Sequence, residues 1–116
     1  PAAAFLPFTY IADARQRIEI YRKLAELTDK AGVIALESEL RDRFGPPPPA
    51  VELLLQLTDL KILAADRGIT AIEVKDDKLM LTRHGEYLMV GNKFPRLTKK
   101  TARARLKEIR RLLATL

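Results

Sequence analysis

The sequence contains no cysteine and only one histidine among its 116 residues. Without cysteine the chain has no disulfide framework, no thiolate metal site and no thiol nucleophile, so a reducing, cytoplasmic setting is compatible with it. His84 stands beside Gly85 in a predicted turn, and no other ligands are spaced to converge with it on a metal ion. We therefore expect neither a metal site nor a bound cofactor in this chain.

Motifs for catalysis and for membrane insertion are also missing. The five glycines are scattered at predicted element ends, so there is no glycine-rich phosphate loop, and no serine or threonine stands in a nucleophile elbow. No apolar run has the length that crosses a bilayer. We expect a domain without enzymatic activity. Because the chain begins at Pro1 rather than methionine, we also expect it to be a piece of a larger protein.

The stretch of residues 39–69 organises the predicted fold. Gly45 follows Phe44 where a helix C-cap is expected, and the four prolines at 46–49 fix φ and form a stiff corner. A new helix starts at Pro49, and its apolar residues recur on two neighbouring faces up to Gly68. We predict that this is the central and most buried helix.

Two further helices are predicted before this corner. Asp13 and Asp29 are placed as their N-caps, and the helices should end near Thr28 and Phe44. An apolar lead-in over residues 5–11 precedes them, and it must be covered by these helices or by a missing upstream segment. Two antiparallel helices joined by a short link are the simplest arrangement.

After the third helix the apolar residues alternate instead of following helical spacing. This pattern predicts short antiparallel strands over residues 69–74, 78–82 and 86–90. Thr98 is the predicted N-cap of a last helix. The whole chain, with 47% hydrophobic residues, is therefore predicted to be one α+β domain. About three N-terminal helices (1–68) pack with a small antiparallel β-meander (69–97) and a C-terminal helix (98–116).

The net charge of +6 is unevenly distributed. Residues 91–116 contain nine Lys or Arg against one Glu, whereas residues 1–90 contain twelve basic and fourteen acidic side chains. The cations of the last segment fall along one side of the predicted helix: Lys100, Arg103, Lys107, Arg110 and Arg111. They could neutralise phosphates, but no aromatic residues are interleaved with them. A basic nucleic-acid-binding module is the alternative function, beside a solvated face or a contact to an acidic protein.

A cluster of mixed charge lies on the second predicted helix. Glu39, Asp42 and Arg43 are spaced i, i+3 and i+4, so their side chains share one face. One interpretation is a self-paired surface patch, which contributes little stability. The other is a protein-docking surface, where mixed charges supply register and selectivity.

The same residues belong to a pattern that resembles a known family. The segment 39–45 (ELRDRFG), followed by Pro48 and by the run 60–69 (LKILAADRGI), looks like the C-terminal domain of the bacterial transcription-repair coupling factor. Upstream, Tyr10, Asp13 and residues 17–24 are similar to its entry helix. The resemblance is specific from about residue 4 to residue 69 and looser beyond.

The resemblance implies a non-catalytic regulatory domain excised from a large multidomain ATPase of nucleotide excision repair. In such a protein ATP and magnesium belong to a separate DNA translocase motor. The end domain docks on an N-terminal module similar to the repair helicase, masks recruitment of the damage-recognition subunit, and restrains the motor until stalled RNA polymerase is engaged. Glu39, Asp42 and Arg43 inherit the docking role, and DNA is a partner of the parent protein only.

Overall fold

The computed structural model describes residues 4–116, which form four α-helices and one three-stranded antiparallel sheet. This confirms the predicted α+β class with a C-terminal helix. The elements in chain order are α1 (Ala14–Glu26), α2 (Lys30–Phe44), α3 (Pro49–Asp66), β1 (Ile69–Lys75), β2 (Lys78–Arg83), β3 (Glu86–Tyr87) and α4 (Ala102–Ala114).

The chain divides into two compact units, Pro1–Ile62 (unit 1) and Leu63–Leu116 (unit 2), and the boundary falls within α3. The predicted single domain over residues 1–116 stays a prediction, and its first three residues lie outside the described part.

Both N-caps of unit 1 are where the sequence predicts them. The Asp13 carboxylate accepts a hydrogen bond from the Arg15 N–H at 2.8 Å, and the Asp29 carboxylate accepts one from the Gly32 N–H at 2.7 Å. Helix α1 ends at Glu26 rather than near Thr28, because Leu27 already has extended backbone geometry. This early end leaves room for Asp29, which must itself be extended to cap α2.

The corner between α2 and α3 has the predicted construction. Gly45 ends α2 with φ of 89° and ψ of −175°, a conformation that is essentially restricted to glycine, and its N–H donates to the Arg41 carbonyl at 3.0 Å. The proline run follows, and α3 starts at Pro49. The Pro48 carbonyl accepts from the Val51 and Glu52 N–H groups and so closes the first turn of α3.

The core of unit 1 is assembled from the lead-in and all three of its helices. Its buried side chains are Leu6, Ile11, Ile20, Leu24, Val33, Leu36, Leu40, Val51 and Leu55. The lead-in turns over residues 8–10, where the Pro7 carbonyl accepts from the Tyr10 and Ile11 N–H groups at 3.0 Å. Leu6 and Ile11 are thereby covered within the described chain, while Phe5 and Phe8 remain 45% and 72% exposed.

Helix α3 is largely, though not wholly, the buried helix that its composition predicts. Every residue from 50 to 60 is buried or half-buried, including Asp59, which pairs with Lys30 at 3.2 Å. Lys61, Ala65 and Asp66 in the last turns are exposed. The prediction that this helix exposes little surface to water is therefore correct for the first two-thirds of α3.

The sheet of unit 2 is a meander in the order β1-β2-β3. Strands β1 and β2 pair through Ile72 opposite Leu81 and Val74 opposite Leu79, and Leu79 and Leu81 are buried. The second hairpin turn uses His84 and Gly85, both with positive φ, as two-residue hairpin turns require. His84 is an exposed turn residue, as expected.

Strand β3 is shorter than the sequence predicts. It ends at Tyr87 rather than Val90, because the chain turns at Gly91 and Asn92 and pairs with itself. Val90 and Lys93 exchange both backbone hydrogen bonds, at 2.8 and 3.1 Å, and neither continues the pairing with β2. The alternation of apolar residues up to 90 thus belongs partly to a separate small loop.

The predicted N-cap of the last helix is wrong. Thr101 caps α4 by accepting from the Ala104 N–H at 3.2 Å, so the helix is Ala102–Ala114 and not 98–116. Thr98 instead donates through its hydroxyl and its N–H to the Glu108 carboxylate, each at 2.8 Å. The physical reason is that the preceding segment pairs alongside the start of β2. The Leu79 N–H donates to the Pro95 carbonyl at 2.9 Å, and the Leu97 N–H donates at 2.7 Å to the carbonyl of Asp77, just before β2.

Candidate docking surface on helices α1 and α2

Glu39 and Arg43 are part of a four-residue ion-pair network that joins α1 to α2. The Glu39 carboxylate lies 2.7 Å from the Arg43 guanidinium and 2.9 Å from the Lys23 ammonium. Glu19 on α1 lies 3.5 Å from Lys23 and 3.7 Å from Arg43. We call these four residues, Glu19, Lys23, Glu39 and Arg43, the α1–α2 charge network.

The network is ordered but open to solvent. Hydrogen bonds from Lys23 and then Arg43 hold the pKa of the Glu39 carboxyl below its ordinary value, and the bond to Glu39 raises the pKa of Lys23. The side chains of Glu39 and Arg43 are still 32% and 34% exposed. Pairs with this exposure contribute little to stability, so a partner's charges can exchange with them at small cost.

Asp42 differs from its two neighbours on the predicted face. It is exposed, and within residues 4–116 it forms no ion pair or side-chain hydrogen bond. The structure therefore brings Glu39 and Arg43 together and leaves Asp42 beside them with its carboxylate directed to solvent. A self-paired patch accounts for Glu39 and Arg43, but it does not account for Asp42.

The end of α2 that carries this cluster is held by Tyr10. The Tyr10 hydroxyl donates to the carbonyls of Gly45 at 2.7 Å and Leu40 at 3.2 Å, and its ring lies 5.8 Å from that of Phe44. Burial raises the pKa of Tyr10, which the Arg41 charge partly opposes. The Arg43 guanidinium lies 4.9 Å above the Phe44 ring, a cation–π contact that orients it.

An open groove of about 400 Å³ runs between α1 and α2 beside the charge network. It is lined by Lys23, Glu26, Leu27, Gly32, Ala35, Leu36 and Glu39. Gly32 leaves room beside α2 for the side chain of Leu27 in the α1–α2 link, since a Cβ at this position would lie 2.8 Å from Leu27 Cδ2. The groove makes this face concave, and the α1–α2 charge network makes it charged.

Sequence reasoning missed Glu19 and Lys23. Their i, i+4 spacing on α1 was a signal for a mutual pair. Nothing in the spacing indicated that this pair faces Glu39 and Arg43, because contacts between helices depend on how the helices pack.

The predicted basic contact residues are not equivalent in the structure. Arg103, Lys107 and Arg111 are exposed and spaced i, i+4 and i+8 along α4, whereas Arg110 is half-buried. Lys100 lies before the helix. Arg103 and Arg110 both have interaction partners. The five cations therefore form a three-residue stripe with two flanking members, and their contact with nucleic acid stays a prediction.

Two other kinds of site are absent from the described residues. Residues 4–116 contain no group of three or more His, Asp or Glu side chains placed to hold a metal ion. In the same part of the chain, no helix is long and apolar enough to cross a membrane.

The chain is similar to known proteins along most of its length. The family model of the TRCF domain matches residues 1–88. A transcription-repair-coupling factor from Myxococcus xanthus is 32% identical over 101 residues, and one from Staphylococcus aureus (strain USA300) is 40% identical over 72 residues. These alignments cover 87% and 62% of this chain.

A solved structure is similar as well. The crystal structure of a C-terminal domain of transcription-repair coupling factor superposes with a TM-score of 0.68 at 35% identity, over 71% of this chain and 51% of that one. The present chain spans only 8% of the Myxococcus protein and 6% of the staphylococcal one. It therefore matches a small part of each of these relatives.

Proposed function

The chain belongs to the transcription-repair coupling factor family as its C-terminal domain, and from this premise we propose that it is a non-catalytic, autoinhibitory docking domain. Its partner is the N-terminal repair-helicase-like module of the same parent protein. Docking masks the surface that recruits the excision-repair damage-recognition subunit and restrains the DNA translocase until stalled RNA polymerase is engaged. ATP and magnesium belong to the motor of the parent protein.

The observation that carries this proposal is the exposed, unpaired Asp42 beside the ordered α1–α2 charge network. Two cations orient Glu39, and Phe44 orients Arg43, so these charges lose little conformational freedom when a partner binds. Asp42 offers a carboxylate that no described group of this chain neutralises. A basic side chain of the partner is its complement.

Reversible docking requires an interface that is selective without being very strong. A tether within one polypeptide supplies an effective concentration in the millimolar range, so a modest intrinsic affinity is enough to keep the domain docked. Release then needs only a partner that binds the undocked form better. Half-exposed ion pairs suit this requirement, because their charges can pair with the charges of a partner without first being fully desolvated.

The test is a calorimetric titration of this chain with the separately produced N-terminal repair-helicase-like module of its parent. We expect saturable binding that Asp42→Arg weakens about ten-fold or more, because reversal places like charges in contact. Thermal unfolding of the variant should match the wild type, since Asp42 has no ion pair or side-chain hydrogen bond to lose within residues 4–116.

Glu37→Arg is the matched control. It makes the same charge change on the same helix, five residues and therefore roughly 140° away from Asp42. Because it also breaks the pair of Glu37 with Arg41 at 3.4 Å, its thermal unfolding is measured beside its affinity. Its affinity should stay close to that of the wild type. Equal weakening by both reversals would indicate a general charge effect and contradict a docking surface at Asp42. Absence of binding at millimolar concentrations would contradict docking altogether, and the basic side of α4 would then be the surface to test.

A further inference from the structure

The sheet of unit 2 has a face that the docking proposal does not use. Residues directly opposite each other on neighbouring strands share a face, so the buried Leu79 and Leu81 define an inner face with Val74 and Ile72. The other side is the outer sheet face. It carries Ala71, Glu73, Lys75, Lys78, Met80, Thr82 and, through the pairing of Thr82 with Tyr87, the Tyr87 ring.

An aromatic pair lies on this outer sheet face. The Tyr87 and Phe94 rings meet edge to face with centroids 5.3 Å apart, and the Lys78 ammonium lies 5.8 Å from the Phe94 centroid. Tyr87 is 47% exposed although it is one of only seven aromatic residues. Its hydroxyl has no hydrogen-bond partner within residues 4–116. An exposed ring that is oriented by a second ring forms a flat, rigid surface on which another ring can stack.

The charge of unit 2 complements a polyanion. Leu63–Leu116 contains thirteen Lys or Arg and six Asp or Glu, a net charge of +7, whereas Pro1–Ile62 contains eight and nine, a net charge of −1. Lys75 and Lys78 stand opposite each other beside the β1–β2 turn, and Glu73 is the one carboxylate among the paired strand residues of the outer face. The net positive charge of the unit comes from residues 91–116, since residues 63–90 contain four basic and five acidic side chains. On the outer sheet face itself, Lys75 and Lys78 are the strand cations that a polyanion would meet.

We propose that the outer sheet face binds single-stranded nucleic acid. Bases stack on Tyr87 beside Phe94, and Lys75 and Lys78 contact phosphates. Stacking on an exposed ring requires bases that are not already paired, so a single strand fits this face better than a duplex, which would present only its phosphates. An acidic protein would pair with the cations, but its carboxylates would not stack on the aromatic pair. The proposal does not depend on docking through Asp42.

The experiment is fluorescence anisotropy of a fluorescein-labelled oligothymidylate of about 20 nucleotides with the whole 116-residue chain. Tyr87→Ala should weaken binding at least about five-fold, and Tyr87→Phe should bind like the wild type because it keeps the ring. Replacing Lys75 and Lys78 together by Gln should reduce the slope of log affinity against log salt by about 1.4, since each single-strand phosphate contact contributes roughly 0.7.

Two controls decide between this face and other sources of binding. Phe8→Ala removes a more exposed ring from unit 1 and should leave the affinity unchanged. Glu73→Gln should not weaken binding, because it removes a negative charge from the face. If circular dichroism shows that Tyr87→Ala does not fold, the Lys75 and Lys78 double variant carries the test alone.

The outcomes that overturn the proposal are distinct from one another. Binding of a duplex of equal length as tightly as the single strand would indicate phosphate contacts alone. Competition by polyglutamate as effective as by unlabelled oligothymidylate would indicate an acidic protein as the partner. Unchanged binding and salt slope in the Tyr87 and lysine variants would move the contact away from this face, with the exposed stripe of α4 as the next surface.

Discussion

Tyr10 illustrates how much of the candidate site depends on one side chain outside it. Its hydroxyl bonds the carbonyls of Leu40 and Gly45, which lie on either side of the end of α2. The Phe44 ring packs against its own ring. The position of Asp42 and Arg43 is thereby tied to the lead-in segment, which contributes no charge to the cluster.

Replacing Tyr10 with Phe should therefore destabilise the chain without removing any apolar surface. The single hydroxyl proton, which the Gly45 and Leu40 carbonyls share, is lost, and we expect the free energy of unfolding to fall by about 0.5–1.5 kcal/mol. Chemical denaturation followed by circular dichroism measures this change. Tyr87→Phe is the matched control, since the Tyr87 hydroxyl bonds nothing in residues 4–116. Equal midpoints for both variants would show that the Tyr10 hydroxyl does not hold α2.

Several single residues could be assigned from the sequence because their roles are local. Asp13 and Asp29 are caps, and Gly45 is a helix end with positive φ, since each role is set by two or three neighbouring backbone groups. Thr98 was assigned wrongly because its partner is Glu108, ten residues away on α4. A threonine looks equally suitable at 98 and at 101 until that distant carboxylate is known.

At the scale of elements, α1 and α2 are joined by charge as well as by their apolar core. Glu39 is the centre of this connection, because it pairs with one cation on its own helix and one on α1. Its lowered pKa means that folding favours the ionised carboxylate. Stability from this source is present above the ordinary value of 4.5 and is lost as the pH falls through the lowered value.

Glu39→Gln should accordingly lower the thermal midpoint near pH 7 and differ less from the wild type near pH 3, because below 4.5 the carboxylate of the unfolded chain takes up a proton and part of this stability is lost. Melting curves at both pH values measure the two differences. Lys23→Gln removes the main hydrogen-bond donor to Glu39, and its difference from the wild type should shrink in the same way. A Glu39→Gln difference that is constant with pH would contradict the assigned ion pairs.

The elements themselves were largely predictable, while their lengths and contacts were less so. The order of helices and strands follows from apolar periodicity and from glycine and proline, which act over a few residues. The shortened β3, the later start of α4 and the participation of Lys23 depend on pairings such as Val90 with Lys93 and Leu97 with Asp77. Such pairings are set by tertiary packing, which no local pattern in the sequence records.

At the scale of the whole molecule, the two proposed binding surfaces belong to different units. The proposed docking residues, Glu39, Asp42 and Arg43, lie in Pro1–Ile62, which is nearly neutral. The outer sheet face lies in Leu63–Leu116, which has a net charge of +7. The sequence indicated a basic C-terminal segment from residue 91 onward. Residues 63–90, which include the sheet, contain four basic and five acidic side chains, so the positive charge of this unit still comes from residues 91–116.

The two surfaces should therefore be separable by mutation. Asp42→Arg is expected to weaken docking and to leave oligothymidylate binding within about two-fold of the wild type. Tyr87→Ala is expected to weaken oligothymidylate binding and to leave docking unchanged, because sites without shared partners behave additively. The two variants are compared in the titration and in the anisotropy assay. If either variant affects both kinds of binding, the chain has one shared binding surface rather than two.

The proline corner at residues 46–49 limits how any partner can bind to the surface beside Asp42 and Arg43. Residues 46–49 have no amide hydrogen, so this part of the surface offers carbonyl oxygens and ring carbons only. A strand of another protein cannot pair along it, since half of the required hydrogen bonds have no donor. A partner that covers the corner must bring its own donors or an aromatic ring that packs on proline. The corner thus excludes edge-to-edge aggregation, a common mode of accidental association, at the part of the surface beside the proposed docking residues.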